Sequence, residues 1–512
     1  MKPETRRVPR WWLLFLILAL ALCTVGVLAQ RPYLSRQHYI LDLARLTLVT
    51  LAALLMWLIA FSRLRWRTRW ATLGVTIGGV LVLCALFRIR GVSGNLVPIL
   101  EPRWSSHSWA PVQTNSLRTV ALTIPGAVDF PQFLGADRNA KLSGPRLLTQ
   151  GLTPEPAPLW RHPVGAGWSG FAVSGSVAVT QEQREGRECV VAYDLLTGRT
   201  LWTEGVEARY FTTLAGEGPR ATPTLAGGRV FAQGATGHLL CLDLATGRRF
   251  WSKDILAENK SDVPSWGQSS SPLVLSNRVL VTAGGKGSPS LLAYRVEDGS
   301  LAWSSSASGS TYSSPMEITL AGVPQIVLFA DALMGVEPSS GQLLWKHKWP
   351  GGHPHVAMPI VAGTNALIVS SGYGTGSGRF QVELGADGKW NARQVWRSNR
   401  LKAKFTNLVL HDGHLYGLDD GILACLDAAT GELKWKDGKY GHGQILLVAD
   451  ILMIMAESGE IVFVNPQPKE LQELGRFRAL AGKTWNPPAL AGEYLVVRND
   501  LEAACFRLAV RP

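Results

Sequence analysis

Two patterns of apolar positions divide this chain. Over the first hundred residues the apolar positions run almost unbroken, through residues 11–29, 46–61 (extendable back to Ile40) and 70–87. The first run is long enough to cross a bilayer; the other two reach across if flanking residues snorkel to the interface. The expected membrane spans are therefore 11–29, 40–62 and 70–88, behind a cytoplasmic tail of residues 1–10. Two further spans so close behind the first favour an uncleaved anchor over a signal peptide. Beyond residue 128 the apolar runs become short, as in Cys189-Val-Val-Ala-Tyr193 and His238-Leu-Leu-Cys-Leu242, and Gly, Asp and Thr set them apart. This is the pattern of short antiparallel strands joined by tight turns.

One corner recurs between those strands: an acidic or turn-forming residue, then Gly, then Trp four residues after the Gly. It occurs at Asp194…Gly198…Trp202, Asp243…Gly247…Trp251, Asp298-Gly299…Trp303, Ser340-Gly341…Trp345 and Asp427…Gly431…Trp435. Asp and Thr side chains bond the local backbone, and Gly takes the positive φ that closes a hairpin. A second hairpin lies upstream in each unit, as at 220–225 and 229–233 around Gly227-Gly228. Each unit thus supplies four antiparallel strands, which cannot bury both faces without neighbouring copies. The last strands end near Trp160, Trp202, Trp251, Trp303, Trp345, Trp396, Trp435 and, in degenerate form, Leu474. That spacing of about 45 residues is the period of a propeller blade. After Leu474 only three strands remain (485–490, 494–498 and 503–507), and Pro158-Leu-Trp160 is expected to supply the fourth. The expected fold is all-β: an eight-bladed β-propeller over residues 128–512, closed on itself so that no long sheet edge stays open. Three transmembrane helices precede it, with residues 91–127 as a linker.

Charge places this propeller. Lys2, Arg6, Arg7, Arg10, Arg63, Arg65, Arg67 and Arg69 fall on one side of the spans, against Arg31, Arg36, Arg88 and Arg90 on the other. The positive-inside rule then gives a multi-pass protein of a bacterial inner (cytoplasmic) membrane, its propeller on the periplasmic or extracellular side. The chain's net charge of +13 is mostly this orientation signal, since residues 1–103 hold 14 basic and 3 acidic groups. The remainder carries 37 against 35 and offers no basic surface for nucleic acid. Cys23 and Cys84 lie in the spans, while Cys241, Cys425 and Cys505 share one repeat position, held by Ala192 and Ala293 in other units. Small buried residues under a Trp, in different blades, are too far apart for disulfides.

The form Ala192-x-Asp194-x-x-Thr197-Gly198-x-x-x-Trp202 resembles the repeat of pyrroloquinoline-quinone (PQQ) type propellers, over roughly residues 128–510. The opening Asp129-Phe-Pro-Gln-Phe-Leu-Gly-Ala-Asp-Arg138 is similar to a Trp-x-x-Phe-Arg-Gly-Pro-x-Arg opening in that group, differing at Asp129, Leu134 and Ala136. The superfamily includes quinoprotein alcohol and glucose dehydrogenases as well as a non-enzymatic lipoprotein of outer-membrane barrel assembly. The resemblance therefore implies the fold and leaves chemistry open.

In such a ring, the starts of the innermost strands and the turns between second and third strands open on one face, around the central channel. The starts bring Trp168, Arg220, Gln268, Tyr312, His355, Lys404, His442, Trp485 and Asn486; the turns bring residues 181–184, Asp331, Tyr373, Asp419, Asp420, Glu457, Arg498 and Asn499. A mouth so lined is the expected ligand site. A binding or scaffold module, without catalysis and without cofactor, is the expected function, its partner an envelope protein, a glycan or a small anion near Arg220 and Lys404. The alternative is a PQQ- and calcium-dependent dehydrogenase of sugars or alcohols. In that case Trp168 or Trp485 would stack on the quinone and Asp419 or Asp420 would act as base or ligand. The vicinal cysteine pair and long blade inserts of those enzymes are absent from the sequence. His353 and His355 form a conceivable metal pair without a third ligand nearby.

Overall fold

The computed structural model describes residues 8–31, 33, 35–105, 129–149, 155–284, 289–305, 309, 311–352 and 354–511. It divides into two compact units, residues 1–106 and 107–512. Lys2, Arg6, Arg7, His353 and most of the expected linker lie outside the described residues.

In the first unit, helices α1 (Trp11–Gln30), α2 (Arg36–Met56) and α3 (Trp66–Leu86) follow the three apolar runs, and α2 continues as a π-helical turn through Trp57–Phe61. All three are long and apolar enough to cross a membrane, with mean hydropathies of 2.7, 2.1 and 1.7. The third stops at Leu86, two residues before the expected end, and the chain turns into a hairpin of Phe87–Val92 with Pro98–Pro102. An Arg88–Glu101 ion pair at 2.8 Å ties its strands. The first part of the expected linker 91–127 is therefore ordered strand, signalled by the alternation of Phe87, Arg88, Ile89 and Arg90.

The second unit is a ring of eight blades, each of four antiparallel strands, with Lys141–Leu142 added in parallel to blade 7 as a fifth strand. Blade 1 runs through Ala172–Ser174, Val177–Arg184, Arg187–Asp194 and Thr200–Glu207. Blades 2 to 7 begin at Thr224–Ala226, Leu273–Leu275, Met316–Leu320, Ile360–Val361, Leu408–His411 and Gln444–Val448. Blade 8 takes Ala489–Ala491, Tyr494–Arg498 and Glu502–Arg507 from the C-terminus, and its outer strand, Pro158–Pro163, from the start. The innermost strands are shorter than the expected runs 220–225, 271–275, 358–361 and 485–490. In five blades the ladder begins immediately after Pro223, Pro272, Pro315, Pro359 or Pro488. Proline has no N–H to give the ladder, so the stretch before it stays irregular.

The repeated corner joins blades. Asp194 Oδ1 accepts from Thr197 N and Thr197 Oγ1, both at 2.8 Å, and Gly198 takes φ 69°. A Cβ there would sit 2.6 Å from the Trp160 ring of the preceding blade. The same pairing sets Trp202 on Gly247, Trp251 on Gly299, Trp303 on Gly341 and Trp396 on Gly431. Four of these indoles, and Trp435, also donate to a carbonyl of the next blade: Trp160 to Leu195, Trp202 to Leu244, Trp251 to Val296, Trp396 to Ala428 and Trp435 to Gln467, at 2.8–3.2 Å. In blade 7 the position opposite Phe463 is Gly475, one residue beyond the expected Leu474. There the bulk has moved across the strand pair, from the indole to the phenyl ring. The shared repeat position faces the Trp: Cys241 opposes Trp251, Cys425 opposes Trp435 and Cys505 opposes Trp160, and all described cysteines are free thiols.

Candidate functional site

The irregular stretches before the innermost strands form a hydrogen-bonded belt around the channel. Thr222 Oγ1 accepts from Gly170 N, Ser271 Oγ from Thr222 N, and Ser314 Oγ from Ser271 N. Ser313 Oγ donates to Ala357 O, and Asn407 Oδ1 accepts from Met358 N. Gln444 Nε2 reaches both Phe405 O and Trp485 O at 3.0 Å. Asn486 Nδ2 closes the circle on Gly167 O and Ser169 O at 3.1 and 2.8 Å. Each link joins one blade to the next, so backbone groups left unpaired by the prolines are satisfied between blades.

Above this belt, the blade-starting loops meet the turns between second and third strands. Trp485 meets both Trp168 and Phe405, with ring centroids 4.8 Å away in each case. Phe405 also meets His442 at 5.3 Å. Lys483 Nζ stands 4.1 Å from the Trp485 ring and 4.5 Å from that of Trp168, a cation held over two indoles. Trp485 Nε1 donates to Glu457 Oε1 at 3.0 Å, and Glu457 Oε2 accepts from His442 N at 3.0 Å. Lys404 Nζ lies 5.2 Å over the Tyr373 ring. Burial, offset only in part by Asp420 and Glu457, pushes Lys404 down to about 8. Burial and the Lys404 charge together hold His442 down to about 4, so its imidazole is neutral near pH 7. Asp420 is pushed up by burial against the pull of Lys402, 3.7 Å away.

The structure thus brings Trp168, Lys404, Asp420, His442 and Trp485 into one cluster, in which Trp168, Lys404 and His442 are themselves buried. A second group forms around Arg220, which donates to the carbonyls of Gly218, Ala215 and Gly216 and stacks 4.6 Å from Tyr210. Those bonds make Arg220 the brace of the small hairpin Phe211–Thr212 with Gly216–Glu217. Tyr312 stands beside this group half-buried, its carbonyl accepting from Ser269 Oγ at 3.3 Å. The remaining expected residues are also buried, each in contacts of its own. Asp419 is fully buried between Lys402 at 2.6 Å and Lys436 at 2.8 Å; burial raises its carboxyl, but the two ammoniums outweigh that and hold it below the usual range. Gln268 and Asn486 are buried at 1%, and His355 stacks 4.6 Å from Phe329 with its Nδ1 against Ser371 Oγ at 2.8 Å. Glu182, Arg184 and Arg498, expected at turns of the mouth, form a buried ion cluster instead, with Arg184 2.8 Å and Arg498 3.9 Å from Glu182. Phe405, Lys483 and Tyr210 are mouth residues that the strand pattern does not single out. The only sequence signal for the first two is closeness to Lys404 and Trp485.

A flat quinone would need a slot between two planar faces. Trp168 and Trp485 are inclined at 40° with centroids 4.8 Å apart, and Phe405 also packs on Trp485. Asp419 is already paired twice, and among the described residues no group of three or more His, Cys, Asp or Glu side chains is placed to hold a metal. These residues do not fit the quinone–calcium site of the alternative reading.

The family model described as "Outer membrane protein assembly factor BamB" matches residues 186–437. No curated protein sequence matches the chain. Among solved structures, BamB from Moraxella catarrhalis superposes with a TM-score of 0.50 at 14% identity, covering 70% of this chain and 98% of that one. Quinohemoprotein alcohol dehydrogenase from Comamonas testosteroni gives 0.51 at 11% identity, covering 75% and 81%. At these identities the likeness is one of fold. The chain is a β-propeller protein of PQQ-like repeats, similar in fold both to the outer-membrane assembly factor and to quinoprotein dehydrogenases, with three apolar, membrane-length helices ahead of the ring.

Proposed function

We propose that this protein is a binding or scaffold module, anchored in the inner membrane with its propeller on the outer side, and that the channel mouth is its recognition surface. The observation that carries this reading is the composition of the mouth. Partly exposed Phe405, Trp485, Tyr312 and Tyr373 surround it, with Lys483 and the buried Lys404 held over aromatic faces. Aromatic faces with few, well-held charges suit recognition of a protein segment or a glycan, because large apolar area is buried at small entropic cost. The anchor supports an envelope partner, as does the likeness to a protein named as an outer-membrane assembly factor. The pairing of Asp419 with two lysines and the closed Trp168–Trp485 contact weigh against quinone catalysis.

The discriminating experiment titrates the full chain, in nanodiscs, with PQQ and Ca²⁺ and follows dye reduction with sugars and alcohols. The binding reading expects neither saturable quinone uptake nor turnover; robust turnover would overturn it. Topology is checked on spheroplasts, where external protease should cleave within residues 107–128, and protection of that segment would refute the orientation.

A further inference from the structure

The opening motif, residues 129–138, has no place in the mouth, and its path through the ring is distinctive. Asp129 accepts from Ser174 Oγ and Gly175 N at 2.9 Å, and Phe130 exchanges both backbone bonds with Val173 of blade 1, at 2.8 and 3.0 Å. Pro131 O accepts from Leu225 N of blade 2. Arg138 then donates to Pro272 O and Ser271 O of blade 3, at 2.8 and 2.9 Å. Three residues later Lys141–Leu142 pairs in parallel with the innermost strand of blade 7, at Leu447 and Val448. Finally Leu147 and Leu148 meet Val510 and Ala509, just past the last strand of blade 8.

In a ring of eight, blades 3 and 7 stand opposite each other. Three residues of extended chain cover about 10 Å, and the arginine side chain supplies the rest of the span. The segment must therefore pass across the channel axis. Phe130, Leu134, Ala140 and Leu147 are buried at 3% or less, and Arg138, itself 3% exposed, is held in the crossing. Val173, Leu225 and Val448 stand at or near the downstream ends of their innermost strands, away from the loops that build the mouth, while the Arg138 side chain reaches up to the belt at Ser271 and Pro272.

We propose that residues 129–149 form a floor across the propeller channel. The mouth then opens into a one-ended cup, which takes a chain end, a protruding loop or a compact group and excludes a chain threaded through the ring. The ligand part of this statement rests on the binding reading of the mouth; the floor does not.

Hydrogen exchange of the full chain in nanodiscs tests the floor directly. Amides of Val173, Leu225, Leu447 and Ala449, all bonded to the crossing segment, should exchange as slowly as the inner ladders. Arg138→Ala should speed these four by about tenfold or more, with Arg138→Lys intermediate and outer-strand amides of the same blades unchanged. Exchange of these amides at exposed-loop rates in the unaltered chain would overturn the floor, whatever the variants do. A photo-cross-linking residue at Phe405 should capture a ligand that one at Arg146, an exposed residue of the floor segment itself, does not. The same adduct from both positions would overturn the one-ended cup while leaving binding at the mouth intact. Loss of all adducts with the slow amides retained would instead fail the binding reading alone.

Discussion

The outer corners and the inner loops of this propeller divide its labour. On the outside, one arrangement recurs: an acidic turn residue, a left-handed Gly and an indole laid across that Gly from the blade before. On the inside the side chains vary from blade to blade. The belt is made with Thr222 in one blade, Ser271 in the next, and Asn407, Gln444 and Asn486 further round. The regular half specifies how blades stack. The irregular half satisfies the backbone and leaves Phe405, Lys404, Lys483 and Trp485 at the mouth. Repetition therefore marks what the ring needs, and departure from it marks where recognition can be placed.

Substitutions can break or sharpen this division. The largest effect is expected from Trp251→Ala, which removes an indole packed on Gly299 and bonded to Val296 O. Chemical denaturation should show a loss of about 3–5 kcal/mol, with mouth binding unchanged wherever the ring remains folded. Gly247→Ala should cost about 1–3 kcal/mol, because φ is 72° there and the new Cβ would lie 2.6 Å from Trp202. Asp243→Ala removes the acceptor for Thr246 N and Oγ1 and should cost about 1 kcal/mol. At the small end, Lys483→Ala should move stability by no more than about 0.5 kcal/mol while weakening partner capture. A large stability loss there would show that the mouth serves the ring after all.

Acid gives a further separation. The folded value of His442 lies below its ordinary one, so as pH falls from about 6.5 the unfolded chain takes up a proton that the folded chain refuses. Stability should decline between about 6.5 and 4, and His442→Gln should flatten that slope in thermal melts across the window. An unchanged slope would remove His442 from the buried cluster.

The ring was readable because its signals are local. Asp194, Gly198 and Trp202 lie within one hairpin, and the period of the indoles counts the blades. The strand Pro158–Pro163 was legible as the missing fourth strand of blade 8 for the same reason. The mouth was legible only as a set of loop positions. The structure brings Trp168, Lys404, His442 and Trp485 together, whereas Arg220 turns to its own hairpin and Asp419 turns inward to Lys402 and Lys436. Which way a loop side chain points depends on partners distant in sequence, such as Lys436 on the outer strand of blade 6, and no local spacing records them. The crossing by residues 129–149 was hidden for a similar reason, since it joins blades 3 and 7 through residues about 130 and 300 positions away.

The most direct test of the division is paired photo-cross-linking in intact cells, with the reactive residue placed at Phe405 in the mouth or at the exposed corner residue Leu196. A discrete adduct from Phe405, lost in Lys404→Ala or Lys483→Ala and absent from Leu196, is the expected result. An adduct from Leu196 with none from Phe405 would place recognition on the repeated corners and contradict the account.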